Sequence, residues 1–267
     1  MVGSIGSGLP AVVAWQQLEK TGSQQRERWG KQPSVQREIE YAEKFAAKVK
    51  NPEEMINDRR FMSFVLSAFG LESEVDKKGL LRKVLMSDLT DVNSYANRMN
   101  DARFKELAQR LDLKGSGVDL VKSEATLTSL TLRYKKNEFD KAQGQATPGM
   151  REAIYFKENA ARMKSPWDVL GDRTMREVVF KVYDLPREVA IQSVESQGAA
   201  LTRKVDIAKF QDKRWVEKTI QSYLSKIDQE QSESNGNGAS MYAGLLTPLF
   251  DSGGGALDLL QALSTRR

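Results

Sequence analysis

The stretch REIEYAEKFAAKVKNPEEMINDRRFMSFVLSAFGLESEV, residues 37–75, returns 114 positions later as REAIYFKENAARMKSPWDVLGDRTMREVVFKVYDLPREV, residues 151–189, without a gap. Thirteen of the 39 aligned positions are identical, among them Tyr41/Tyr155, Pro52/Pro166, Asp58/Asp172, Arg59/Arg173 and Leu71/Leu185. Further on, Asp101-Ala102-Arg103-Phe104 matches Asp212-Lys213-Arg214-Trp215 at a shift of 111, so the second copy is three residues shorter in its middle. Such a period is too long for a solenoid, whose repeats run about 20 to 50 residues. The pattern reads as one domain-sized unit written twice.

Each copy spells out helices. Val35, Ile39, Ala42, Ala46 and Val49 form one apolar stripe of 3.6-residue period, which predicts a helix over Ser34–Lys50. Asn51-Pro52-Glu53-Glu54 and Ser165-Pro166-Trp167-Asp168 each place an acceptor at the N-cap, a proline at the first helical position and an acid in the first turn. Asp58 and Asp172 are positioned to cap the next helices, Arg59–Phe69 and Arg173–Tyr183. Phe61, Phe64, Val65, Ala68 and Phe69 share a face, matched by Met175, Val178, Val179, Val182 and Tyr183. Gly70 suits a left-handed C-terminal residue; Asp184 replaces it in the second copy, with Pro186 preventing continuation.

Outward from these units, a short helix is expected over residues 9–22, closed by Gly22, and further helices over Lys77–Met86, Val92–Met99 and Ala102–Leu111. The loop Leu113–Gly117 leads into a long helix from Val118 to about Ala142, broken by Gln143–Gly149. No alternating apolar run with hairpin turns calls for a sheet. The expected fold is all-α and multihelical, an internally duplicated unit with flexible termini. The divisions are an N-terminal arm (1–33), a first repeat (34–117), a connecting helix (118–149), a second repeat (150–231) and a flexible C-terminal tail (232–267). In the tail, the polar run Ser232–Ser240 and Asp251-Ser252-Gly253-Gly254-Gly255 flank two apolar islands, Met241–Phe250 and Ala256–Leu263.

Composition removes much chemistry. With no cysteine and no histidine, thiolate nucleophiles, thiolate or imidazole metal sites and the commonest general base are excluded. A metal site would have to be all oxygen, and no EF-hand spacing is present; no cofactor is expected. No phosphate-binding loop or nucleophile elbow occurs. The repeated carboxylates Glu38/Glu152 and Asp58/Asp172 read as caps and surface charges, because a catalytic pair needs two acids in different environments. No catalytic residue is therefore assigned. No run approaches the ~20 apolar residues of a membrane span, and the N-terminal apolar patch Leu9–Trp15 lacks the preceding cation of a cleaved signal.

Two unrepeated features are left for function. The region Arg203–Lys226 carries seven basic residues (Arg203, Lys204, Lys209, Lys213, Arg214, Lys218, Lys226) against three acidic ones, within a net charge of +5. It reads either as a solvated helix face or as a nucleic-acid surface, the latter disfavoured without a recognised motif. The apolar islands read either as segments docking on the protein's own body or as partner-binding peptides, with Leu245, Leu246, Phe250, Leu257, Leu260 and Leu263 as the candidate contacts.

The motifs Arg59-x-x-x-x-Phe64-Val65-Leu66-x-Ala68-Phe69-Gly70-Leu71 and Tyr95-Ala96-Asn97-Arg98-x-x-Asp101-x-Arg103-Phe104 resemble the first copy of the bacterial family known as domain of unknown function twelve-seventeen. Tyr134-x-x-x-x-Phe139-Asp140-x-Ala142-x-Gly144, followed by Met150-Arg151-Glu152-Ala153-x-Tyr155-Phe156, is similar to that family's link into its second copy. Ala14-Trp15-Gln16-x-Leu18-x-x-Thr21 looks like its N-terminal signature, and the resemblance spans about residues 12–228. It implies an all-helical, duplicated fold and, because members are often encoded among flagellar genes, a flagellar association without known catalytic residues. The resulting expectation is a non-enzymatic interaction protein: a flagellar accessory, assembly or exported structural component, made in the cytoplasm, with a flagellar protein as partner. The alternative is a nucleic-acid-binding regulator.

Overall fold

The computed structural model describes residues 8–99 and 101–234, and among these the regular structure is entirely helical. The α-helices are α1 (Ala11–Gly30), α2 (Pro33–Ala46), α3 (Pro52–Asn57), α4 (Arg59–Ala68), α5 (Lys78–Leu85), α6 (Tyr95–Arg98), α7 (Ala102–Leu111), α8 (Asp119–Lys122), α9 (Glu124–Ala146), α10 (Met150–Asn159), α11 (Pro166–Gly171), α12 (Arg173–Val182), α13 (Val194–Lys204) and α14 (Lys213–Ser234). Short 3-10 turns, such as Ala160–Arg162 and Ile207–Gln211, link several of them.

Two apolar cores form. The first collects α2 to α8 and the N-terminal half of α9, including the whole stripe Val35, Ile39, Ala42, Ala46 and Val49. The second collects α10 to α14 together with Ala11, Val12, Ala14 and Trp15 of α1. Helix α4 lies along α9 with nearly every side chain from Phe61 to Ala68 buried. Phe64, 2% exposed, packs between Phe61 and Tyr134 with tilted rings whose centroids lie 6.4 and 4.7 Å away. Full burial of such a ring stabilises by about 1.5–3 kcal/mol.

The local hydrogen bonding of residues 37–75 recurs in 151–189. Asn51 Oδ1 accepts from Glu54 N (2.9 Å) and Ser165 Oγ from Asp168 N (3.2 Å). The Glu54 and Asp168 side chains reach back to the amides of Lys50 and Lys164, each at 2.9 Å. Asp58 caps α4 through Phe61 N and accepts the Tyr41 hydroxyl, both at 2.7 Å. Asp172 caps α12 through Met175 N (2.9 Å) and accepts the Tyr155 hydroxyl (2.6 Å). Gly70 and Asp184 both take positive φ, +67° and +48°. A cation covers each of these ends: Arg103 donates to the Gly70 carbonyl (2.6 Å), and Lys226 to Asp184 Oδ1 (2.6 Å) and the Lys181 carbonyl (3.0 Å).

Several boundaries differ from expectation. Helix α1 passes through Gly22 and ends at Gly30, so the segment assigned to an arm is a 20-residue helix. An interior glycine costs about 1 kcal/mol relative to alanine, and tertiary packing offsets it: α1 lies against α9 and α14, with Trp29 set edge-on to Phe139 at 6.4 Å. The long helix expected from Val118 is divided at Ser123, whose hydroxyl caps α9 through Thr126 N (3.3 Å), and α9 then runs on to Ala146. The helix expected over Val92–Met99 shrinks to α6, because Asp88 and Asp91 each bind the amide two residues ahead (Thr90 and Asn93, 2.9 Å) and hold turns instead. Helix α14 extends to Ser234, three residues into the polar run expected as linker.

Candidate functional surfaces

A polar seam runs between the two cores along α9. Ser67 on α4 donates to Glu138 (2.8 Å) and accepts from Asn137 (3.1 Å). Arg151 on α10 donates to Glu72 (2.8 Å) and to Asn137 Oδ1 (3.2 Å). Burial works to raise the Glu72 carboxyl, but its own amide and Arg151 outweigh that and hold it below the ordinary range. Lys136 bridges Asp140 (2.6 Å) and Glu158 (2.7 Å), and burial pushes Asp140 upward against that pairing. These groups tie α4, α9 and α10 together.

Helix α1 closes over the seam and onto α14. Pro10 offers no side-chain cap, so Asp228 of α14 supplies one in trans, accepting from Ala11 N at 2.9 Å. Trp15, 1% exposed, donates from Nε1 to Glu217 (2.7 Å), and Lys157 pairs with Glu19. Burial raises the Asp228 carboxyl against the pull of the Ala11 and Val12 amides.

Of the repeated carboxylates, Asp58, Asp172 and Glu152 sit at helix starts, and Glu38 lies on the surface of α2. Asp58 and Asp172 are caps, and Glu38 forms an exposed ion pair with Arg60 at 2.9 Å. The two phenols bound to the caps differ in setting. The Asp58 hydrogen bond is the main influence raising Tyr41, whereas burial leads for Tyr155, with the Asp172 bond adding to it.

The basic region resolves into surface and core. Phe210, Val216, Ile220, Tyr223 and Leu224 are buried, and Lys226 is held by Asp184. Arg203, Lys204, Lys209, Lys213, Arg214 and Lys218 are all exposed, and none forms an ion pair with another described residue. Two further exposed cations, Arg162 and Lys164, join this surface, because Gln211 Nε2 donates to the Met163 carbonyl (3.3 Å) and ties the turn Ala160–Arg162 to Ile207–Gln211. Sequence spacing did not reveal this, since the two turns lie almost fifty positions apart. Beside Lys164, Trp167 is 48% exposed, with Ile191 and Val194 87% and 57% exposed at the approach to α13.

A groove of about 440 Å³ lies between α2 and α9, lined by residues including Glu43, Lys122, Glu124, Leu127 and Lys135. The candidate contacts Leu245, Leu246, Phe250, Leu257, Leu260 and Leu263 lie outside the described residues, as do residues 1–7 and most of the expected linker. Among the described residues, no helix is long and apolar enough to cross a membrane, and no cluster of acids is arranged to hold a metal ion.

None of the curated proteins compared matches the chain. Among solved structures, the crystal structure of protein AGR_C_984 from Agrobacterium tumefaciens is similar at 27% identity and a TM-score of 0.69, covering 86% of this chain and 96% of that one. The sequence pattern of one family matches residues 68–216, from the end of α4 into α14 and more than half of the 267-residue chain. The chain thus belongs to the family described as protein of unknown function (DUF1217).

Proposed function

We propose that this is a non-enzymatic helical interaction protein that works as a flagellar accessory, assembly or exported structural component, made in the cytoplasm. The observation that carries the contact role is the set of exposed cations without ion-pair partners among the described residues on α14 and the neighbouring turns, with an exposed tryptophan three residues from Lys164. Long charged side chains left without internal partners are available to another molecule, and tryptophan and arginine are the residues most enriched where binding energy concentrates. The flagellar setting rests on the gene association that the family resemblance implies. The recurring caps and tyrosine bonds support a duplicated scaffold: Tyr41–Asp58 and Tyr155–Asp172 are spaced alike and bonded alike.

The direct test is deletion of the gene in its native bacterium. Impaired swimming or altered flagella is expected; a strain that swims normally and builds normal flagella contradicts the proposal. The same cations favour a second reading, a nucleic-acid-binding regulator. That reading requires retention of DNA or RNA at low ionic strength and a steep loss of binding with salt through counterion release.

A further inference from the structure

We propose that the cationic strip of Arg162, Lys164, Lys209, Lys213, Arg214 and Lys218, edged by Trp167, is the docking face for an acidic amphipathic segment of a partner protein. The proposal rests on the contact role above and adds the surface and the chemistry of its partner.

The strip is electropositive by construction. Its interspersed acids are each tied to a donor: Asp168 to Lys164 N at 2.9 Å, Asp206 to Ala208 N at 3.0 Å, Asp212 to Arg214 N at 2.8 Å and Glu217 to Trp15 Nε1 at 2.7 Å. Helix α14 opens on Lys213 and Arg214 with Asp212 as its capping acid, so the positive character of the strip comes from its six cationic side chains. Chain connection and the Gln211–Met163 bond keep the six cations on adjoining turns.

The apolar edge is built as specifically. The indole of Trp167 lies on Gly198 of α13 so closely that a Cβ there would stand 2.6 Å from the ring. Glycine therefore makes the seat on which the tryptophan rests, and Val194, one helical turn earlier, continues the exposed apolar area. The aligned position in residues 37–75 is Glu53, which is paired with Arg82. This edge thus belongs to the second half alone.

Charge and apolarity together choose the occupant. The chain's own residues 235–267 hold two acids and two bases, so they offer no net complement to the strip. A nucleic acid presents phosphates that suit the cations, but the exposed aliphatic Ile191 and Val194 would gain no partner from it. A segment with acidic residues along one side and leucine-like residues along the other satisfies both features, in the manner of an amphipathic helix laid on a surface.

The test titrates the full chain, by fluorescence anisotropy, with a labelled synthetic helix carrying Glu on one face and Leu on the other. A Glu/Ser version and a duplex DNA serve as alternative probes. Binding of the Glu/Leu peptide is expected, weakening with salt. It should fall about tenfold in the triple variant Lys209→Glu, Lys213→Glu, Arg214→Glu and about fivefold in Trp167→Ala, with far-UV circular dichroism unchanged. Equal affinity for the Glu/Ser peptide overturns the apolar edge, and tighter binding of DNA with the same variant dependence overturns the choice of partner. Stronger peptide binding in the full chain carrying Leu257→Ser and Leu260→Ser would assign the strip to the tail instead. No binding by any probe overturns the proposal while leaving the flagellar reading to the deletion strain.

Discussion

Asp58 and Asp172 occupy matching positions and make matching bonds, yet removing them should not cost the same. In Asp58→Ala the cap on Phe61 N is lost, at about 1 kcal/mol, and the Tyr41 hydroxyl is freed. That hydroxyl is less desolvated than its Tyr155 counterpart, so water can replace the carboxylate and little is added. In Asp172→Ala the same cap loss is joined by an unsatisfied Tyr155 hydroxyl, for which burial is the leading influence. Leaving this half-buried donor unpaired costs a further ~1–2 kcal/mol, short of the full penalty of a completely buried group. The expected destabilisation is therefore ~1 kcal/mol for Asp58→Ala and ~2–3 kcal/mol for Asp172→Ala. Urea unfolding of the full chain, followed by far-UV circular dichroism, measures both as shifts of midpoint at constant slope. Adding Tyr155→Phe to Asp172→Ala removes the orphaned hydroxyl and should recover most of the difference. An Asp58 variant as costly as the Asp172 variant, or no recovery in the double variant, would refute the reasoning.

Other substitutions probe other joints. Phe64→Ala opens the space between Phe61 and Tyr134 and should cost about 3–5 kcal/mol by the same unfolding assay. Trp15→Ala removes the anchor of α1 on α14; hydrogen exchange should rise in α1 while α4 stays protected. Asp228→Asn keeps the acceptor for Ala11 N but cannot ionise. Because burial raises the Asp228 carboxyl above its ordinary 3.8, its contribution to stability is present below that pH and is lost as pH rises through the raised folded value. The Asn variant should accordingly be the more stable protein at pH 7, with the gap closing below pH 3.8; a gap that widens on acidification contradicts this. Gly198→Ala places a methyl against the Trp167 ring and should alter the near-UV circular dichroism with little change in helicity.

Much of the fold was legible because helix ends are local chemistry. Asn51, Asp58, Ser165 and Asp172 each cap the helix that their spacing predicts. Gly70 and Asp184 turn where expected. The errors arose where tertiary packing or a competing local bond decided the outcome. Gly22 reads as a stop, but Trp29 and Phe139 draw α1 onward; Ser123 divides a run whose apolar spacing gives no sign of a break. The seam was illegible for another reason: Ser67 meets Glu138 and Arg151 meets Glu72 across more than seventy positions, and no periodicity encodes such pairings. The candidate surface was half legible. Its cations from Arg203 to Lys218 stand out as a charge excess, whereas Arg162, Lys164 and Trp167 join them only through the contact of two turns and the seat at Gly198.

The most direct test of the contact role is complementation of the deletion strain, scored by swimming in soft agar. The wild-type gene should restore motility. The gene encoding Lys209→Glu, Lys213→Glu and Arg214→Glu, expressed at equal level and equally helical when purified, should not. Full restoration of swimming by the charge-reversed protein would contradict the account.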